Sequence, residues 1–311
     1  MKRVVVTGAT SFLGRNVVES LLINGYEVYA FVRNSSQNPL KLENSNLKYI
    51  YGTLDEIEII YDYITYADIF IHFAWAGSGS IGRNTEEVQM SNIDYSLRAI
   101  KLAIKLDCEK FIFPGSQAEY GKINNQITEN TECNPLSFYG KAKLEFSKKA
   151  NLTCKDENIE FIHLRIFSVY GYGDRKGTLV DSCIKSFNNG KIMELGPCKQ
   201  NWNYLYIDDF ASIVLKLIES ECPTGIYNIA SPETRILRDF VKIIYDVSNK
   251  TGNYVFEDKT DANPEGSPEL NPSIEKLRIY INNYEFTPFY KGIQEITNKI
   301  RDENASISVE K

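Results

Sequence analysis

The stretch 4-VVVTGATSFLG-14 decides the architecture of this chain of 311 residues. Three consecutive valines read as a strand buried on both faces, the pattern found inside a parallel sheet. Glycines stand at 8 and 14 in the turn that follows, and Val17, Val18, Leu21 and Leu22 then recur at helical spacing. Strand, glycine-rich turn and helix in that order make a nucleotide-binding start. Gly8 supplies the positive φ of a tight turn and Gly14 lets the helix lie close to the strand. The first N–H groups of that helix are then free for a pyrophosphate.

Outward from this start, strand-like runs at 3–6, 27–32, 47–50, 68–72, 110–114 and 160–166 alternate with helical patterns. Such alternation builds parallel βαβ units and predicts an α/β fold with a doubly wound parallel sheet. After Tyr170 the alternation breaks down, with loops around 171–177 and 188–203 and three of the ten prolines within 257–273. This half is expected to form a smaller mixed α/β lobe that holds the substrate. Phe289, Ile293, Ile296 and Ile300 recur at helical spacing, and 303–311 read as a polar tail. The helix near 86–107 carries two apolar stripes, Ile93, Leu97, Ile100, Ile104 and Tyr95, Ala99, Leu102, Leu106. One stripe can cover the sheet; the other needs a partner, either a second copy or further packing within the chain.

Composition excludes several classes. Net charge is −6 and there is no basic run, which argues against nucleic acid. No apolar run nears the roughly 20 residues that span a bilayer. Six cysteines at 108, 133, 154, 183, 198 and 222 form no C-x-x-C pair, and no basic-plus-apolar leader is present, so reduced thiols in the cytoplasm are expected. His72 and His163, the two histidines, lie in apolar strand-like runs and read as structural, with no metal site.

The chemistry is carried by 115-GSQAEYG-121 and 139-YGKAK-143. Tyr139 and Lys143 are i and i+4, which on a helix stacks both on one face. A free tyrosine ionises near pH 10 and is a poor acid or base at neutrality. The Lys143 ammonium and the helix N-terminus are expected to shift Tyr139 towards ionisation.

With these motifs the chain resembles the extended short-chain dehydrogenase/reductases that act on nucleotide sugars, and the resemblance covers nearly all of it. The family's T-G-x-x-G-x-x-G lands on Thr7, Gly8 and Gly14, with Ser11 at the middle glycine. Its Ser/Thr lands on Ser116 and its Tyr-x-x-x-Lys on Tyr139 and Lys143. Further matches are 68-DIFIHFAWAG-77, Asn92, 165-RIFSVYG-171 and 202-WNYLYIDD-209. The resemblance implies a Rossmann domain of 1–170 plus about 204–230, where a helix and the strand 226-IYNIA-230 return to the sheet. The lobe for the nucleotide sugar is then about 171–203 and 231–302. It also implies a homodimer through the 86–107 helix and a catalytic Ser116, Tyr139 and Lys143. Its cofactor contacts fall on Gly8, Thr10, Ser11, Phe12, Leu13, Gly14, Leu54, Ala74, Trp75, Ala76, Asn92 and Ile166, with Tyr139 and Lys143.

In 31-FVRNSS-36, Arg33 stands where an acidic residue selects NAD or an arginine pairs with the 2′-phosphate of NADP. Arg33, with Asn34, Ser35 and Ser36 as further donors, points to NADP (NADPH) rather than NAD. The family's Gly-Asp-Leu is altered to Gly52-Thr53-Leu54, so its carboxylate is read as missing. The related 4,6-dehydratases carry Asp-Glu after the catalytic Thr, and here Gln117-Ala118 can neither give nor take a proton. Two chemistries remain: reduction of a nucleotide-linked 4-keto-6-deoxy sugar by NADPH, and 4-epimerisation on tightly held NAD. The Trp202 run looks like that of the abequose-synthase type of reductase, which favours the first. Gln117, Ser168, Arg175, Lys176 and Trp202 are the candidate substrate contacts. A non-catalytic NADP-sensing protein is a third reading, at odds with an intact Ser116, Tyr139 and Lys143.

Overall fold

The computed structural model of the chain describes residues 1–33, 40–79, 81–248, 250–257 and 269–309. Asn34, Ser35 and Ser36 lie outside the described residues. The first half runs β1 (Arg3–Thr7), α1 (Phe12–Ile23), β2 (Glu27–Val32), β3 (Leu47–Tyr51), β4 (Ile69–His72), α2 (Glu86–Lys105), β5 (Lys110–Ser116), α3 (Phe138–Asp156) and β6 (Glu160–Ile166). The second half runs β7 (Ser168–Tyr170), α4 (Leu179–Asn188), β8 (Ile192–Leu195), β9 (Asn201–Tyr206), α5 (Ile207–Glu219), β10 (Gly225–Ile229), β11 (Thr234–Ile236), α6 (Leu237–Val247), β12 (Asn253–Phe256), α7 (Glu275–Ile281) and α8 (Phe289–Val309).

Seven strands form one parallel sheet in the order β10-β6-β5-β4-β1-β2-β3. Strand order reverses at β1 and β4, with Val4 paired to both Val28 and Ile69. Crossovers to left and right from that point leave a crevice at the carboxyl ends of β1 and β4, where doubly wound sheets bind ligands. The central strands are apolar because both faces are covered: every residue of β2 and β4 is buried. One face packs on α1 and α5, the other on α2, α3 and the 54–62 segment. Burying one such Val, Ile or Phe contributes about 1.5–3 kcal/mol.

The chain returns to the large sheet after β9: α5 packs on α1 and β10 pairs with β6. The lobe is built around a small sheet β11-β9-β7 and the pair β12-β8; of these, β8 and the start of β9 fall within the 188–203 stretch read from the sequence as loop. Residues 303–309, expected as a polar tail, continue α8 as helix. The two stripes of α2 are both used within the chain. Ala99, Leu102 and Leu106 are buried in the core between α2, α3 and the 54–62 segment, and Tyr95 lines a cavity described below. That stripe therefore needs no second copy to cover it.

Candidate active site

Two adjoining cavities open at the carboxyl ends of β1 and β4, sharing Ser11, Phe73 and Trp75 as walls. The turn after β1 is shaped for close approach. Gly8 has φ +65°, and a Cβ there would lie 2.5 Å from the Ala74 nitrogen. A Cβ on Gly14 would lie 2.3 Å from the Gly8 carbonyl oxygen. Ser11 replaces a glycine without strain, at φ −69° and ψ 162°. Its Oγ accepts the Gly14 N–H at 3.1 Å and caps α1, leaving its own O–H proton free to donate into the cavities.

The first cavity, of about 490 Å³, is lined by Gly8, Thr10, Ser11, Arg33, Leu54, Ala74, Trp75 and Ala76. These are eight of the positions read from the sequence as dinucleotide contacts. Arg33 is exposed at its edge. Asp55, two positions after the Thr53 that replaces the family's aspartate, also lines it, so a carboxylate does stand at this cavity. Asn92 serves the cavity from behind. It is buried, its Oδ1 accepts the Ala76 N–H at 2.8 Å and its Nδ2 donates to the Ala76 carbonyl at 2.9 Å. Gln89, one turn earlier on α2, was missed: buried, it donates to the carbonyls of Gly77 and Gly82 at 3.0 and 2.8 Å. Its Oε1 accepts the Trp75 indole N–H at 2.8 Å. Two amides in an otherwise apolar helix face were the available signal.

The second cavity, of about 680 Å³, brings together Phe12, Leu13, Ser116, Tyr139, Lys143, Ile166, Ser168, Arg175 and Trp202. Tyr139 is the second residue of α3, whose N-cap Ser137 accepts the Gly140 N–H at 3.2 Å. The Trp202 indole N–H is buried and makes no hydrogen bond, so it is a donor available to a ligand. Arg83, also missed, stacks its guanidinium over the Tyr139 ring at 4.4 Å. It is the one Lys or Arg between Lys48 and Arg98, and that isolation within a glycine-rich loop was its signal. Lys176 and Gln117 do not join the cavity. Lys176 lines a separate hollow beside α4 and α8, and Gln117 lines neither cavity. Asp174 is the one carboxylate among the described residues lining the cavity, and burial pushes its carboxyl up.

The electrostatics differ from the sequence expectation. Burial pushes the Tyr139 phenol above its ordinary value, while the charge of Arg83 and the hydrogen bond with Ser116 pull it back. Lys143 takes no part in that pull. Its Nζ donates to the Pro114 carbonyl at 2.8 Å and sits 3.7 Å from the Trp75 ring and 4.5 Å from the Phe113 ring. Burial there drives the ammonium well below its ordinary value, opposed by the charge of Glu119. The phenol is thus held neutral, the form that donates a proton.

Both histidines are packed into the framework. His72 meets Thr7 Oγ1 at 2.8 Å through Nδ1 and Ser96 Oγ at 3.0 Å through Nε2. Burial, helped by the charge of Lys143, lowers it to about 3. His163 Nε2 lies 3.1 Å from Glu119 Oε1, beneath Ser116.

Comparison with known proteins agrees with this geometry. The chain is 25% identical over 275 residues to an uncharacterized UDP-glucose epimerase of Bacillus subtilis (strain 168), covering 84% of this chain and 87% of that protein. It is 25% identical over 232 residues to the CDP-abequose synthase of Salmonella muenchen, covering 73% and 74%. The solved structure of UDP-N-acetylglucosamine 4-epimerase from Methanobrevibacter ruminantium M1, in complex with UDP-N-acetylmuramic acid, superposes with a TM-score of 0.83. At 23% identity over 97% of this chain and 99% of that one, it shows the same fold. A model of the NAD dependent epimerase/dehydratase family matches residues 4–230. With the glycine turn, the Ser116, Tyr139 and Lys143 cluster and the doubly wound sheet in place, the chain belongs to the NAD dependent epimerase/dehydratase family of extended short-chain dehydrogenase/reductases.

Proposed function

We propose that the protein is an NADPH-dependent reductase of a nucleotide-linked 4-keto-6-deoxy sugar. The carrying observation is the cofactor cavity, where Arg33 follows the last residue of β2 and no carboxylate stands at that selecting position. A guanidinium there pairs with a 2′-phosphate that NAD lacks. The sugar ketone would lie in the cavity of Ser116 and Tyr139. Ser116 holds the carbonyl oxygen, Tyr139 delivers the proton and Lys143 binds the nicotinamide ribose. The bound cofactor supplies the hydride. A phenol kept neutral by burial suits proton delivery better than proton removal. Elimination of water would need an acid and a base flanking the sugar, and a single carboxylate, Asp174, does not provide both. Arg175 and the free indole N–H of Trp202 are the donors for the diphosphate end.

The second reading is a nucleotide-sugar 4-epimerase with tightly held NAD, favoured by the likeness to an uncharacterized UDP-glucose epimerase. The two differ in whether the hydride returns. For the reductase, NADPH absorbance falls mole for mole with alcohol formed, and only when a 4-keto sugar nucleotide is present. Interconversion of a non-keto sugar nucleotide with its C4 epimer, without added cofactor, gives the assignment to the epimerase. The homodimer remains part of the proposal on the resemblance alone, and sedimentation equilibrium tests it.

A further inference from the structure

Directly beneath Ser116 lies a charged cluster that the proposed reaction does not use. Glu119 is fully buried, and its Oε1 accepts the Ser116 N–H at 2.8 Å. The same oxygen meets His163 Nε2 at 3.1 Å, and Oε2 accepts from Arg165 Nε at 3.0 Å. Both partners project from β6 and are themselves buried. Arg165 also stacks on the Tyr120 ring at 4.4 Å, with Cys133 near its guanidinium. The turn closes as a capping box: Ser116 Oγ accepts the Ala118 N–H at 3.2 Å while Glu119 reaches back to the Ser116 N–H. Gly115 leaves the room this requires. A Cβ on it would lie 2.1 Å from His163 Nε2 and 2.5 Å from Glu119 Oε1.

We propose that Glu119 is a positioning residue of the catalytic centre: it fixes Ser116 through the backbone N–H and supplies the buried negative charge that acts on Lys143 and Tyr139. Two independent roles meet in one carboxylate. The first is geometric, because the Ser116 hydroxyl direction is set by the turn that Glu119 closes. The second is electrostatic. Lys143 sits among aromatic rings where burial favours the neutral amine, and Glu119 is the group that favours its ammonium. The same charge raises the Tyr139 phenol, against Arg83 and Ser116 on its other side. His72, next to Lys143 from β4, is held uncharged by burial and adds no opposing charge near neutrality. Burial would drive Glu119 towards its neutral form, but the charges of His163 and Arg165 and the Ser116 N–H hold its carboxyl below the ordinary range. Glu119 is thus a fixed anion placed by the fold, not a proton donor to substrate.

The inference rests on the proposed roles of Ser116, Tyr139 and Lys143, and its test is separable from the choice of reaction. Ultraviolet difference titration of the protein against its Tyr139→Phe variant isolates one phenol from the 20 in the chain. In Glu119→Gln that phenol ionises at lower pH, by about half a unit or more, and carbonyl reduction slows at least ~10-fold while NADPH binding stays within about threefold. A phenol titration left unmoved in folded Glu119→Gln overturns the electrostatic role even where turnover falls, because a merely structural residue lowers turnover without moving the titration. Unchanged turnover overturns the positioning role. If Glu119→Gln does not fold, Glu119→Leu combined with Arg165→Met and His163→Phe removes the carboxylate together with both of its partners, and the same titration decides. If no keto sugar nucleotide is reduced, the titration still reads the proposal, and only the reductase reading fails.

Discussion

At the scale of single residues, the site divides the work of one expected ion pair among three groups. Lys143 was placed by spacing beside Tyr139, yet its ammonium is spent on the Pro114 carbonyl and the rings of Trp75 and Phe113. The charge nearest the Tyr139 ring is that of Arg83 at 4.4 Å, with Lys143 Nζ farther off at 5.7 Å. Replacing the phenol by Phe removes the proton donor and nothing that binds the dinucleotide phosphates. Tyr139→Phe is therefore expected to keep cofactor binding and lose turnover by about 10² or more, read by stopped-flow and by fluorescence titration of NADPH. Arg83→Gln removes a charge that favours phenolate, so the alkaline limb of the rate profile is expected to move to higher pH. A profile that stays in place would show that the stacking is packing only. Spacing made Ser116, Tyr139 and Lys143 legible because one strand end and one helix face carry them. The contact of Arg83 with Tyr139 was not legible, since only the fold brings the guanidinium over the ring. Glu119 could not be read as buried, because only the fold lays His163 and Arg165, more than 40 positions later, beneath it.

At the scale of elements, the same contrast separates strands from the loops they hold. The central strands could be read directly because a parallel strand covered on both faces must be a continuous apolar run. The second lobe could not: β8 and β12 are short and half-exposed, so no periodicity announces them. In α2 the second apolar stripe was legible but not its destination, because spacing cannot say whether a neighbour belongs to the same chain. His72 shows how β1, β4 and α2 are tied, through Thr7 and Ser96. Its folded form does not take a proton until about pH 3, while the unfolded chain does so near 6.5. The unfolded state thus binds more protons in that window. The His72 contribution to stability is complete above about pH 6.5 and lost as pH falls, at up to ~1.4 kcal/mol per pH unit. Urea midpoints at pH 7 and pH 5 measure this. A His72→Gln variant that keeps the bonds to Thr7 and Ser96 is expected to lose about 2 kcal/mol less between those pH values than the unaltered chain. Equal losses in both would place the acid sensitivity elsewhere.

At the scale of the whole molecule, one apolar core runs from Val4 and Val6 of β1 through Phe210 and Leu217 of α5 to Phe240, Phe289 and Ile293 of α6 and α8. The second half of the chain is therefore not an independent unit packed on a finished first half. Ligand binding at the shared crevice is transmitted to the stability of the entire chain. That makes thermal unfolding a reporter of cofactor choice that requires no substrate. A ligand present at 100 times its dissociation constant stabilises the folded state by about 2.7 kcal/mol, and one present at its dissociation constant by about 0.4 kcal/mol. If Arg33 pairs with the 2′-phosphate, NADPH binds at least tenfold more tightly than NADH, so at a concentration 100 times the NADPH dissociation constant NADPH stabilises by at least about 1.3 kcal/mol more than NADH and raises the melting temperature further. Arg33→Asp removes the cation and places a carboxylate where it repels the phosphate and accepts the ribose hydroxyls of NADH. The order of the two shifts is expected to reverse. Larger stabilisation of the unaltered protein by NADH, or NAD that stays bound through purification, would remove Arg33 as the selector and carry the assignment to the epimerase.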